Sequence, residues 1–510
     1  MKNKLFKTSI IFAFITLIGR IIGMLKEMIL SSTFGANNLT DAYNIAMTIP
    51  NMLYMIGISA IMVTFIPNYY EVKESKGEEE AVRFSNKLLI TLLTIAIIML
   101  IITYIFTKKI VFIMAPNFDI ETSILTVRLT RITLINIIFM VLTAVLSSIL
   151  RISSRFIETS IMPILPSLFI IVYLLIANDK NIEGVTIVTS ISFAIQFIIL
   201  IPGLRGIGYK FKVSIYGHND RIKKVLKSII PLMFGLAVQQ ISVMVDKIIG
   251  SYLKSGVITS LDLANKVNSV IYGVVSSTLI TVYSPILSKT FLNDDKSEWL
   301  ETIKNIIIYT MIILIPATIG VLILNNNLIA LIYKRGNFTA ENLNMVSSAF
   351  YGYAIQLPFL SVRDIIGQAF YSMKDTKTPS INGIQSVIIN ILLTLILSRL
   401  FGIIGIAIGT SISLITACSL LIIKFKNRFN NFKLKYIVIS CIKIFISSIV
   451  MGGVLKLILN TYLYRVNSNI LIIISSMFIG ILVYTFMTIL LNIKEVTDIF
   501  KILKERLKRL

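Results

Sequence analysis

Twelve charged side chains within long apolar runs of this sequence stand out as site candidates, because water is scarce there and a charge is costly. They are Arg20, Lys26, Arg128, Arg131, Lys247, Lys266 and Arg363, against Glu27, Asp41, Asp246, Asp262 and Asp364. A charge held in a bilayer normally faces a cavity, a pathway or a partner, so each is a site candidate. Cations outnumber anions, and a cavity lined this way prefers an anionic ligand. Some members have plainer readings. Asp262 and Lys266 sit at i,i+4 and can pair, and Lys26 can snorkel to an interface. Arg128 and Arg131 share a helix face at i,i+3, and Gly19 and Gly23 flank Arg20 at a spacing that permits close helix approach.

The elements that must position these residues are membrane spans. Of the 510 residues, 56% are hydrophobic and 15% charged, whereas soluble domains run near 25% charged. A soluble globular enzyme is excluded. At about 20 residues per crossing, the apolar content supplies about fourteen crossings. The apolar runs place them at 6–32, 41–70, 84–107, 122–150, 157–177, 184–202, 226–252, 260–288, 301–324, 341–370, 379–399, 403–423, 436–459 and 469–492. With the N-terminus inside, 32 Lys and Arg fall on the inner side and 8 on the outer. This asymmetry predicts that both termini are cytoplasmic. It also accounts for the net charge of +24 without a nucleic-acid partner.

Beyond the last span, Val496, Ile499, Phe500, Leu503, Leu507 and Leu510 recur at helical spacing among Lys and Arg. Residues 494–510 are therefore expected to form an amphipathic helix on anionic membrane lipid. Two cysteines, Cys418 and Cys441, and the single His218 leave no His/Cys metal site. No Gly-Lys dipeptide occurs, so a phosphate-cradling ATPase loop is missing. Transport by this chain is not driven by its own ATP hydrolysis.

A weak internal repeat relates Met24–Pro67 to Met244–Pro285, with Ala46 over Ala264 and Pro67 over Pro285. A shift of two residues in the intervening loop sets Met24 over Met244 and Lys26-Glu27 over Asp246-Lys247, with the order of charges reversed. The expected organisation is an all-α polytopic membrane protein of about fourteen transmembrane helices, in two six-helix lobes related by this repeat plus two extra helices. The lobes are 1–215 and 216–430, the added pair is 431–493, and the tail is 494–510.

Three stretches carry a resemblance: GRIIGMLKEMILSSTFGANNLTDAYNIAMTIPN near the N-terminus, LIYKRGNFTAEN, and QAFYSMKDTKTPS. They resemble the MurJ/MviN family of lipid II flippases, within the multidrug/oligosaccharidyl-lipid/polysaccharide exporter superfamily. The resemblance implies two lobes around a cationic cavity, in the bacterial cytoplasmic membrane. The cavity receives lipid II, the undecaprenyl-pyrophosphate-linked peptidoglycan precursor, and passes it from the inner to the outer leaflet by alternating access. It implies a groove for the polyprenyl tail along the last two helices. By position, Arg20, Lys26, Glu27, Asp41 and Lys266 match charged positions of the family, and with Arg128 and Arg131 they form the expected substrate-binding set. No enzymatic activity is implied, and a monomer is expected.

Tyr54 stands where the family has arginine after Pro50-Asn51, and Lys26 and Lys266 stand where it usually has arginine. Lysines are point charges and do not form the bidentate fork that arginine offers phosphate. Another lipid-linked oligosaccharide, such as a capsule or teichoic-type precursor, is the alternative substrate. A cation-coupled drug exporter fits less well, because its cavity would favour acids. No organic cofactor is expected. Without ATP chemistry, turnover draws on an ion gradient or the membrane potential, and Asp246, joined by Asp375 of the KDTKTP segment, is the expected site for a monovalent coupling cation such as Na+.

Overall fold

The computed structural model describes residues 2–153, 155–211, 220–277, 286–287, 289–291, 296–461, 466 and 468–497. The expected amphipathic tail therefore lies outside the described residues beyond Thr497. Every regular element among the described residues is helical. In chain order these are α1 (Lys2–Phe34), α2 (Asn38–Lys76), α3 (Glu78–Ile105), α4 (Thr107–Met114), α5 (Ile120–Thr133), α6 (Asn136–Ile152), α7 (Phe156–Ile161), α8 (Leu165–Ile176), α9 (Ile182–Gly206) and α10 (Asp220–Ser251). There follow α11 (Val257–Tyr272), α12 (Ser297–Ile323), α13 (Asn325–Tyr333), α14 (Ala340–Ala354), α15 (Leu357–Ser372), α16 (Lys377–Phe401), α17 (Ile403–Arg428), α18 (Leu434–Thr461) and α19 (Asn469–Leu490).

Nine helical stretches among the described residues are long and apolar enough to cross a membrane: Glu78–Met114, Ile120–Ile152, Phe156–Ile176, Ile182–Gly206, Ser297–Ile323, Lys377–Phe401, Ile403–Arg428, Leu434–Thr461 and Asn469–Leu490. Each coincides with an expected span. The other five expected spans include most of the intramembrane charges; one of them, 260–288, falls partly outside the described residues, as do some side chains of 6–32, 41–70 and 226–252. Another, 341–370, is broken: α14 ends at Ala354 and α15 begins at Leu357. Pro358 occupies the first turn of α15, where its missing N–H and fixed φ suit a helix start but not a continuing helix.

The chain divides into two compact units, residues Met1–Thr259 with Arg335–Phe338, and residues Ser260–Lys334 with Thr339–Leu510. The boundary between the units falls within α11, between Thr259 and Ser260.

In the first unit, Phe65, Phe84, Leu88, Leu146, Leu150 and Leu200 form a buried cluster, with the Phe65 and Phe84 rings stacked at 6.1 Å. In the second, Trp299 is fully buried among Phe425, Phe432, Met311 and Ile444. Helix starts are fixed by side-chain caps. Asn37 and Thr40 form a reciprocal capping box on α2, Asp119 caps α5, Asn181 caps α9, and Thr339 with Asn342 repeats the box on α14. Each cap satisfies N–H groups that the helix itself cannot.

Candidate functional site

In the first unit the charged residues sit on α1, α2 and α10. Arg20 is half-buried on α1, and one turn to two turns further on Lys26 and Glu27 form an ion pair with each other. Lys247 of α10 is buried, and its Nζ donates to Thr48 Oγ1 of α2 at 2.9 Å. Asp246, beside it, is half-buried. The side chain of Tyr54 lies outside the described residues.

Asp41 is only 2% exposed, and its carboxylate is committed to backbone. Oδ2 accepts the N–H of Gly256 at 2.7 Å, and Oδ1 accepts the N–H of Thr259 at 2.7 Å and its hydroxyl at 2.6 Å. These are N–H groups at the start of α11, so the carboxylate caps that helix as well as lying in the first turn of its own. Gly256 has φ +82°, and a Cβ there would stand 2.3 Å from the carbonyl oxygen of Ala36. Only glycine fits that approach.

The RGNFT segment finds its partner at the other end of α1. Asn337 N–H donates to Ser32 O at 2.8 Å, and Asn337 Nδ2 donates to Thr33 O at 2.6 Å. Carbonyls at a helix C-terminus lack internal donors, and Asn337 supplies them.

Arg128 and Arg131 are exposed, and each has a partner within the first unit. Arg128 Nη1 lies 2.9 Å from Glu183 Oε1, and the Arg131 guanidinium sits 4.8 Å from the centroid of the Tyr104 ring. Their shared helix face is therefore an ion pair and a cation–π contact on the exterior of α5.

In the second unit Lys266 lies half-buried on α11. On α15, the Asp364 carboxylate accepts the hydroxyl of Tyr272. Asp375, in the turn before α16, is fully engaged. Its Oδ1 accepts Thr378 N–H at 3.0 Å, and Oδ2 accepts the Thr378 hydroxyl at 2.9 Å and Arg428 Nη1 at 2.8 Å. The Thr378 N–H first, then its hydroxyl and the Arg428 charge, hold this carboxyl below the usual carboxylate range. Asp375 therefore begins a helix and anchors α17 to it, a role with a signal in the sequence: Asp three residues before Thr is a capping spacing. Among the described residues no three His, Cys, Asp or Glu side chains come together to hold a metal ion.

The expected site set is thus spread over both units. Arg20, the Lys26–Glu27 pair, Asp246 and Lys247 belong to the first, and Lys266 and the Tyr272–Asp364 pair to the second. The Asp41 cap, the Asn337 clamp and the Asp375–Arg428 bridge are contacts between residues distant in sequence.

The family model described as lipid II flippase MurJ matches residues 30–475. The probable lipid II flippase MurJ of Rickettsia prowazekii is 31% identical over 415 residues, covering 80% of this chain and 81% of that protein. Its counterpart from Thermotoga maritima is 25% identical over 500 residues, covering 97% and 98%. Among solved structures, a lipid II flippase MurJ in an inward closed conformation superposes with a TM-score of 0.82 at 26% identity, covering 95% of this chain and 99% of that one. An inward-facing multidrug transporter of the MATE family gives 0.64 at 14% identity, over 82% and 99%, a likeness of fold alone.

Proposed function

This chain belongs to the MurJ family of lipid II flippases, and from that premise we propose that it carries lipid II from the inner to the outer leaflet of the bacterial cytoplasmic membrane for cell wall synthesis. It is a multi-pass membrane transporter and not an enzyme. The observation that supports this reading most is the family match across residues 30–475.

The residue chemistry agrees with an anionic cargo. Arg20, Lys26 and Lys266 are the cations assigned to the pyrophosphate, each offering charge-assisted hydrogen bonds to its oxygens. Glu27 holds Lys26 in place through their ion pair. Helices α18 and α19 are assigned to the polyprenyl tail. Their exposed side chains, among them Phe445, Ile449, Phe478 and Ile481, offer apolar surface for it. Both termini are placed in the cytoplasm by the distribution of Lys and Arg. One chain is taken as the working unit.

Energy is assigned to a monovalent cation gradient, with Asp246 as the carboxylate that binds the ion in one conformation and loses it in the other. Moving one charge through 100 mV supplies about 2.3 kcal/mol.

A second reading, a flippase for another polyprenyl-pyrophosphate glycan, draws on Tyr54 in the place of the family's arginine and on lysine at 26 and 266. Rescue of cells depleted of their own lipid II flippase separates the two. Growth restored by the wild-type chain supports lipid II. Rescue only by Tyr54→Arg, with both proteins present in the membrane, favours the other glycan.

A further inference from the structure

A pocket of about 820 Å³ opens in the second unit between the start of α12 and the turn joining α17 to α18. Its lining includes Lys296, Lys304, Arg428 and Lys433 against one carboxylate, Glu301. Glu298, the nearest further acid in sequence, is exposed and is not among the lining residues, and Asp294 and Asp295 lie outside the described residues. Glu301 bridges Lys304 and Lys433, the latter at 3.2 Å. Arg428 spends Nη1 on Asp375, which leaves Nη2 and Nε for a ligand. The side chains of Arg428 and Lys433 are 50% and 65% exposed. Asn430 and Asn431 also line the pocket.

Phe429 lines the pocket and packs 5.2 Å from the fully buried Trp299 behind it. From the pocket's rim at Lys433, α18 runs on with Val438, Ile439 and Ile442 exposed, a strip suited to an acyl chain.

We propose that this pocket holds the headgroup of an anionic glycerophospholipid of the phosphatidylglycerol type. Arg428 and Lys433 take the phosphate, the two asparagine amides take the glycerol hydroxyls, and an acyl chain lies along α18. Basic pockets between membrane helices bind anionic headgroups in this way. The site is separate from the charges assigned to the transported lipid, so its test needs no transport.

The full chain, purified in neutral detergent, is titrated with phosphatidylglycerol or phosphatidylcholine, and retained lipid is counted by native mass spectrometry. Phosphatidylglycerol retained at least tenfold more tightly than phosphatidylcholine, with that preference lost in Arg428→Gln/Lys433→Gln, is the expected result. Lys433→Gln alone, at an exposed position, should reduce the preference several-fold without lowering the melting temperature. An unchanged preference in both variants overturns the proposal. So does full displacement of the lipid by millimolar glycerol phosphate, which would assign the site to a soluble phosphate.

Discussion

Asp41 and Thr259 are joined twice: Asp41 Oδ1 accepts the Thr259 backbone N–H at 2.7 Å and its hydroxyl at 2.6 Å. A buried carboxylate that receives N–H groups at a helix start stabilises that helix by completing bonds it cannot make internally. Asparagine at 41 keeps the size but removes the charge and turns half the acceptor into a donor. We expect Asp41→Asn to cost about 2 kcal/mol, seen as a lower melting temperature of the purified protein. Unchanged melting would remove the capping role.

Arg20 and Lys266 are expected to bind the pyrophosphate. Losing one charge-assisted contact is worth about 1.5–3 kcal/mol, or roughly tenfold to a hundredfold in affinity. Arg20→Ala and Lys266→Ala should each abolish rescue of flippase-depleted cells at normal protein levels. Retained rescue by both variants would withdraw these residues from the site.

Two carboxylates outside the membrane spans predict an acid limit to stability. Asp119 is held below the usual range chiefly by the Thr122 N–H, and Asp375 by the Thr378 N–H. For a depressed folded pKa, the stabilisation is fully present above the unfolded value, about 3.9, and is lost as pH falls through the lower folded value. Asp375→Asn should therefore melt below wild type at pH 6, and the two should converge as pH falls below 4. A constant gap across that range would contradict the assignment.

The sequence made the uninterrupted apolar helices legible. The run 379–399 appears as Lys377–Phe401, and 403–423 as Ile403–Arg428, because twenty apolar residues between turn residues leave few alternatives. The break at residues 355–356, just before Pro358, was not read: 341–370 was expected whole, and Pro50, Pro67, Pro202 and Pro316 lie inside continuous helices. Partners across long separations were not legible either. Asp41 looked like one more intramembrane charge because its ligands Gly256 and Thr259 lie 215 and 218 residues away. Arg128 and Arg131 shared a helical face as expected, but only the fold brings Glu183 and Tyr104 to them. The RGNFT and KDTKTP stretches, read first as a family resemblance, contain turn chemistry: Asn337 closes the end of α1, and Asp375 opens α16.

Asp246 gives the account its energetic test. In vesicles reconstituted with the protein, flipping should rise with an imposed sodium gradient or membrane potential, and Asp246→Asn should remove the sodium response. An unchanged response combined with lower stability would make Asp246 a structural residue.

The most direct measurement is transbilayer movement of lipid II itself in proteoliposomes containing only this chain, read as the fraction accessible to an external modifying reagent over time. The account predicts that wild-type protein moves lipid II well above the rate in protein-free vesicles, and that Arg20→Ala returns it to that background. Lipid II movement at the background rate, from wild-type protein that is folded and correctly inserted, would contradict it.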